Sequence, residues 1–502
     1  MTYTVLTYLE KSAETYPQKE AVVDEAGSCT YAELLERSRR AGSFLAAKLK
    51  KGEPIPVFME KGTDALCAFL GIAYAGGAYC LVNPELPRAR LLQIQQVLEA
   101  GTVVTTAELA PYAAEIFPEA EILLISALKS APVDEKALEA LRQAAIDTDP
   151  LYINFTSGST GIPKGILVSH RSVLDFISCF TELFHITAED RIANQAPFDF
   201  DVSVKDIYSA LKTGATLVIV PRRLFSAPIE LIDFLCVHRV TTMIWAVSAL
   251  CLISTFHGLD YKTPETVRKI LFSGEVMPYK HLQNWKQHLP KAVFVNLYGP
   301  TEITCNCTYH ILEENRDYAA GIPIGRPFPN EDVFLLTPQN RRVSREDTQS
   351  VGEICVRGTA LALGYYRSPQ QNAAHFVQNP LNLHYPETVY RTGDLGRYDE
   401  NGELIFAGRK DFQIKYMGHR IELEEIERAM AAVEGVERSC CIFDEKHSRL
   451  KGYYVGSIEK EKLHTLLRES LPAFMIPGLL RKIDRMPLTK NGKIDRKRLE
   501  EA

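Results

Sequence analysis

The sequence predicts an α/β protein: a large N-terminal domain of layered α/β subdomains with mostly parallel sheets, then a small α+β domain at the C-terminus. Three observations lead there. At 502 residues the chain exceeds what one core holds, since cores stop growing near ~250–300 residues. Short apolar runs alternate with longer amphipathic stretches, the pattern of parallel strands joined by crossover helices. A hairpin signature then breaks this rhythm, placing one domain over 1–409, a junction at 410–411 and a second domain over 412–502.

In chain order, the runs IPVFME, TVVTT, EILLIS, LYINF, ATLVIVP, TTMIWA, KILFSG and VFVNLYG read as buried strands, and PIELIDFLCVHR as one of the helices between them. One stretch needs separate judgement. Ala65 to Val82 runs 18 residues without a charge, the length of a membrane span. Gly76-Gly77 divides it, so it reads as a buried helix, a turn and a short strand AYCLV, with a span as the alternative. Farther on, Asn401-Gly402 in YDENGELIFAG is a strong turn signal. Beyond it Leu423, Ile426, Met430 and Val433 recur at helical spacing. The chain closes on RKIDRMPLTKNGKIDRKR, eight Lys or Arg against two Asp.

Composition excludes several function classes. With 46% hydrophobic and 24% charged residues the chain is an ordinary globular protein. A net charge of −6 supplies no global field for nucleic acid or an anionic membrane. MTYTVLTYLEKSAETYPQ has neither the basic nor the apolar region of a signal peptide. Eleven scattered cysteines read as free thiols in a reducing compartment rather than a disulfide framework. Cys305 and Cys307 leave a Cys-x-Cys metal site open, although no second ligand pair accompanies them. A cytoplasmic protein with no nucleic-acid partner and no membrane span is expected.

The chemistry-bearing motifs are loops that end strands. LYINFTSGSTGIPKG (Leu151 to Gly165) joins an apolar run to small residues and one lysine. Such a loop lets backbone N–H groups approach a phosphate while hydroxyls add donors. Its spacing is not that of a Walker A loop, and alone it also reads as a solvated turn. It is accompanied by NLYGPTE (Asn296 to Glu302), YRTGDLG (Tyr390 to Gly396), GRKD (Gly408 to Asp411) and NGKIDR near the end. In open α/β sheets the loops at strand C-termini converge on one crevice.

These five motifs, in this order, resemble those of the adenylate-forming superfamily, which includes acyl-CoA synthetases, luciferases and the amino-acid adenylation domains of nonribosomal peptide synthesis; the resemblance covers essentially the whole chain. It implies joining of a carboxylate to the α-phosphate of ATP, with Mg²⁺, and release of pyrophosphate. It further implies that Thr156, Ser157, Gly158, Ser159, Thr160, Gly161 and Lys164 enclose the β- and γ-phosphates. Asn296, Tyr298, Gly299 and Pro300 border the nucleotide, Thr301 touches the α-phosphate, and Glu302 holds the metal. Asp394 takes the ribose hydroxyls and Arg409 assists there, while Lys493 is the catalytic lysine that bridges carboxylate and phosphate. Read singly, Glu302 is equally a helix-cap partner, Asp394 a turn residue and Lys493 an exposed lysine. In relatives the small domain is mobile and swings about a hinge at the position of Asp411, and Gly418 leaves room for a pantetheine arm.

By the same resemblance the substrate is a small amino acid. Asp201, after Phe200, takes the α-ammonium, because a buried carboxylate needs a cationic partner; an exposed aspartate is the plainer reading. Val202, Lys205, Ile244, Leu271, Ser273, Leu297, Cys305 and Asn306 line the rest of the pocket. The chain stops soon after GKIDR, so the partner is expected to be a separate carrier protein bearing phosphopantetheine. The resemblance is nearest to the D-alanine–D-alanyl carrier protein ligases of teichoic acid D-alanylation. Lys205, Ser273 and Leu297 depart from that pattern, which leaves open a stand-alone peptide-synthetase adenylating enzyme for serine or alanine. A CoA ligase for a small acid and a nucleotide-binding sensor without turnover are the further alternatives.

Overall fold

The computed structural model describes residues 4–158, 161–444, 447–489 and 494–500. The chain forms two compact units. One comprises Met1–Asn83, Ala100–Asn154 and Ile166–Lys410, the other Pro84–Glu99, Phe155–Gly165 and Asp411–Ala502. The second unit thus recruits two short segments from the N-terminal half, which no composition shift marks.

All eight expected strands form, at Pro54–Phe58, Thr102–Thr105, Glu121–Leu124, Pro150–Thr156, Thr216–Ile219, Thr242–Ala246, Lys269–Ser273 and Val293–Tyr298. They belong to two mostly parallel sheets, of nine and seven strands. In the larger one, strands Glu20–Asp24, Thr216–Ile219, Arg191–Asn194, Thr242–Ala246, Lys269–Ser273 and Val293–Tyr298 lie side by side in parallel. Antiparallel strands close its margins: Gly27–Thr30 at one end, Thr308–Ile311 and then the short Arg326–Pro327 at the other. Parallel strands need helical crossovers, and long apolar runs are what a strand covered on both faces requires.

The uncharged stretch resolves as the sequence reading expects. Thr63–Tyr74 is a helix buried along its whole length, and Ala78–Leu81 is a strand inside the seven-stranded sheet. An all-round apolar helix is one covered by protein on every side. No helix among the described residues is long and apolar enough to cross a membrane. All eleven cysteines are free thiols, and no group of three or more His, Cys, Asp or Glu is placed to hold a metal among the described residues.

A third, antiparallel sheet within the first unit carries the motif loop YRTGDLG on its long strand Thr388–Tyr398, hairpinned to Leu404–Arg409 through Gly402 at φ 70°. The second unit holds a hairpin, Gln413–Tyr416 with His419–Glu422, turned by Met417 and Gly418, both at positive φ. Positive φ at both central residues matches the twist of a two-residue hairpin loop. Helix Leu423–Ala431 follows, burying Leu423, Ile426 and Met430, while Val433 lies past its end. The three-stranded sheet Val436–Asp444, Arg449–Gly456 and Leu479–Lys482 completes this unit.

Candidate active site

Three groups of motif residues take up defined positions, two in the first unit and one in the second. In the first unit, strand Val293–Tyr298 runs into Gly299, Pro300 and a short 3-10 turn, Thr301–Ile303. Gly299 is required there, because a Cβ would sit 2.5 Å from the Asn306 Cα and 2.8 Å from the Cys305 carbonyl oxygen. Thr304 and Cys305 follow at φ 54° and 77°, consecutive non-glycine residues in the left-handed region. Such backbone strain concentrates at ligand sites. The strain turns Cys305 and Asn306 back beside the strand ends.

The Asp394 carboxylate is buried and serves as a shared acceptor. The Tyr298 hydroxyl donates to its Oδ2 at 2.5 Å, Arg409 donates to its Oδ1, and its own N–H donates to Thr392 Oγ1 at 2.9 Å. Burial and the adjacent Asp394 charge push the Tyr298 hydroxyl well above its ordinary pKa, so it stays a donor. Glu302 is fully buried, and Tyr365 donates to its Oε1 at 2.7 Å. The Asn296 amide donates to the Pro323 carbonyl at 2.8 Å. Tyr365 was not singled out in the sequence: it lies 63 residues from Glu302, and pairing at that separation leaves no spacing signal.

The second group surrounds helix Val202–Thr213. Asp201 occupies the position before this helix and does not cap it with its side chain. Its N–H donates to the Asn154 amide oxygen at 3.0 Å, and its carbonyl accepts from Cys305 Sγ at 2.8 Å. One turn on, Lys205 is 0% exposed, and its Nζ donates to Asn306 Oδ1 at 2.7 Å and to Ser273 Oγ at 3.5 Å. Ile244 pairs with Leu271, and Ser273 with Leu297, across neighbouring strands. Phe200 and Val202 are half-buried beside Asp201. The ten residues predicted to line one pocket therefore lie around the carboxyl ends of three adjacent parallel strands and the start of one helix. Tyr152, which the motif reading missed, is buried with a hydroxyl that has no hydrogen-bond partner among the described residues, and it feels the Asp201 and Cys305 charges.

In the second unit the Ser/Thr/Gly loop leaves the strand ending at Thr156 and returns at Lys164, where the next strand begins. A Cβ on Gly158 would fall 2.0 Å from the Ile162 carbonyl oxygen, so only glycine permits this turn, and Gly161 sits at φ 82°. Thr156 Oγ1 is buried with no partner among the described residues, an orphaned donor at the mouth of the loop. Ser157 donates to the Arg420 carbonyl at 2.6 Å, tying the loop to the Met417–Gly418 hairpin. Asp411 accepts from the Gln413 N–H at 3.2 Å. Ser159, Thr160 and Lys493 lie outside the described residues. The buried pair Arg90–Glu425, 2.8 Å apart, also went unread in the sequence, since its members are 335 residues apart.

A comparison of the chain with known proteins is consistent with this geometry. The family described as AMP-binding enzyme matches residues 9–366. Tyrocidine synthase 1 of Brevibacillus parabrevis is 33% identical over 505 residues, covering 98% of this chain and 44% of its own. Surfactin synthase subunit 1 of Bacillus subtilis (strain 168) is 31% identical over 99% of this chain and 14% of its own. The chain therefore spans less than half the length of these relatives. The solved adenylation domain AlmE of Vibrio cholerae, in complex with glycyl-adenosine-5'-phosphate, has the same fold, with a TM-score of 0.85 at 22% identity over 99% of this chain and 97% of that one. By its motifs, its fold and the match over most of its length, the chain belongs to the AMP-binding enzyme family, within the adenylate-forming superfamily.

Proposed function

We propose that this chain activates an α-amino acid as its aminoacyl-adenylate and passes it to the phosphopantetheine thiol of a carrier protein, as a nonribosomal-peptide-type adenylation enzyme. Of the two amino-acid-activating readings opened by the sequence, the peptide-synthetase one is favoured over D-alanyl carrier protein ligation by the relatives named above. One observation carries the amino-acid assignment: the Asp201 backbone, Lys205, Ser273, Cys305 and Asn306 are joined by hydrogen bonds around one helix start.

In the first half-reaction a carboxylate oxygen of the amino acid attacks the α-phosphorus of ATP. The new P–O bond forms as the bond to the β-phosphate breaks, and pyrophosphate leaves with the electron pair. Both reactants are anions, so the task of the protein is to orient them and offset their repulsion. Asp394 takes the ribose, held by Arg409 and Tyr298, and the loop from Thr156 to Lys164 receives the phosphates, with the orphaned Thr156 hydroxyl as one donor. Glu302 would hold a Mg²⁺ ion, and the positive charge it would supply suits the phosphates; a hard oxygen donor such as this carboxylate fits that ion. Asp201 holds the α-ammonium, and Lys493 bridges the reacting anions. In the second half-reaction a thiolate attacks the adenylate carbonyl, and AMP departs.

The test is ATP–pyrophosphate exchange with paired acids that differ only in the α-amino group. Exchange should require the amino group, and Asp201→Ala, which removes the half-buried carboxylate that pairs with it, should lower exchange on the order of 100-fold. Exchange with the amine-free acids alone means a CoA ligase, and none with any acid means a nucleotide sensor.

A further inference from the structure

The amino-acid pocket contains a charge that the reaction as described does not use. Lys205 is completely buried on helix Val202–Thr213, yet its hydrogen-bond partners among the described residues are neutral: the Asn306 amide oxygen at 2.7 Å and the Ser273 hydroxyl at 3.5 Å. It forms no ion pair among the described residues. Burial pushes the ammonium below its ordinary pKa, and the more distant Asp201 and Asp206 carboxylates and the Cys305 thiol offset only part of that. A buried ammonium without a counter-ion is expensive, because the low-dielectric interior replaces its hydration with nothing of opposite sign. Neither carboxylate reaches it as an ion-pair partner, and the other predicted pocket residues Ile244, Leu271 and Leu297 are apolar.

We propose that the amino acid activated at this site carries an anionic side chain, a carboxylate, and that Lys205 is the residue that selects it. The inference rests on the amino-acid-activating function proposed above. Its physical core is charge matching. Asp201, at the position before the helix but with helical φ and ψ, and Lys205 in the first turn stand four residues apart, so they face the same side about 5–6 Å apart at Cβ. A ligand with an α-ammonium and a side-chain carboxylate satisfies both at once, and the pocket closes neutral. Alanine or serine would neutralise Asp201 and seal Lys205 in as a lone cation. Asn306 and Ser273 then have a clear task, which is to hold the ammonium in place and aimed across the pocket. The expectation of a small amino acid constrains the length of the side chain but not its charge.

The measurement is amino-acid-dependent pyrophosphate exchange on the whole chain with aspartate, glutamate, asparagine, glutamine, alanine and serine, for the native protein and for Lys205→Met. We expect kcat/KM for one of the two acidic amino acids to exceed its neutral amide by on the order of 100-fold, the range for a desolvated charge pair. Lys205→Met should abolish that preference while leaving the KM for ATP in place. Equal or better exchange with alanine, serine or an amide in the native protein overturns the proposal while amino-acid activation stands. A retained acidic preference in Lys205→Met overturns it too. Exchange with no amino acid removes both the activity and this inference. Should Lys205→Met fail to fold, the native panel alone decides.

Discussion

Replacing His170 with Gln should flatten the acid side of the stability profile, by an amount the structure sets. His170 opens helix His170–Leu183, is 3% exposed, and its Nδ1 accepts from the Val5 N–H at 3.4 Å. Burial lowers its pKa from 6.5 to about 4, with Asp149 opposing the shift. The folded pKa lies below the unfolded one, so between those values the unfolded chain binds the extra proton and stability rises with pH. The contribution is complete above the unfolded pKa and is lost as pH falls through the window toward about 4. At 1.36 kcal/mol per pKa unit, the loss is about 3 kcal/mol. A Gln Oε1 can still accept from Val5 without titrating. Urea unfolding followed by tryptophan fluorescence reads the correct unit, because the only two tryptophans, Trp245 and Trp285, are both buried in the same unit as His170. The native protein should lose about 3 kcal/mol more than His170→Gln between about pH 8 and about pH 4. Parallel curves for the two would mean that His170 is protonated in the folded state, and the reasoning fails.

Two further outcomes follow from packing. Arg90 and Glu425 are buried together, and burial outweighs their attraction, moving Arg90 down and Glu425 up in pKa. Arg90→Met alone should cost ~3–5 kcal/mol, and Arg90→Met with Glu425→Leu should recover most of it. Hydrogen exchange in helix Leu423–Ala431 is the readout, and a near-neutral single variant would rule out a desolvated pair. Gly299→Ala drives a methyl into the Asn306 and Cys305 backbone, which cannot swing aside as a side chain would. It should cost ~1–3 kcal/mol and lower exchange at least tenfold, whereas unaltered kinetics would show that the 304–306 turn is not part of the site.

The sequence by itself determined the fold class and the strand order along the chain. Short apolar runs bounded by turn signals suit strands buried on both faces, and the eight that were read form as expected. Local signals also sufficed for the Asn401-Gly402 hairpin and for the helix starting at Leu423, because turn and helix chemistry act over a few residues. Only the tertiary structure decided which distant groups meet. Tyr365 on Glu302, Tyr298 on Asp394 and Arg90 on Glu425 are contacts across 63, 96 and 335 residues, and nothing in the spacing of a chain encodes them. Burial is likewise a property of the packed state: in the sequence Lys205 is one lysine among 57 basic residues, and only folding takes it out of water.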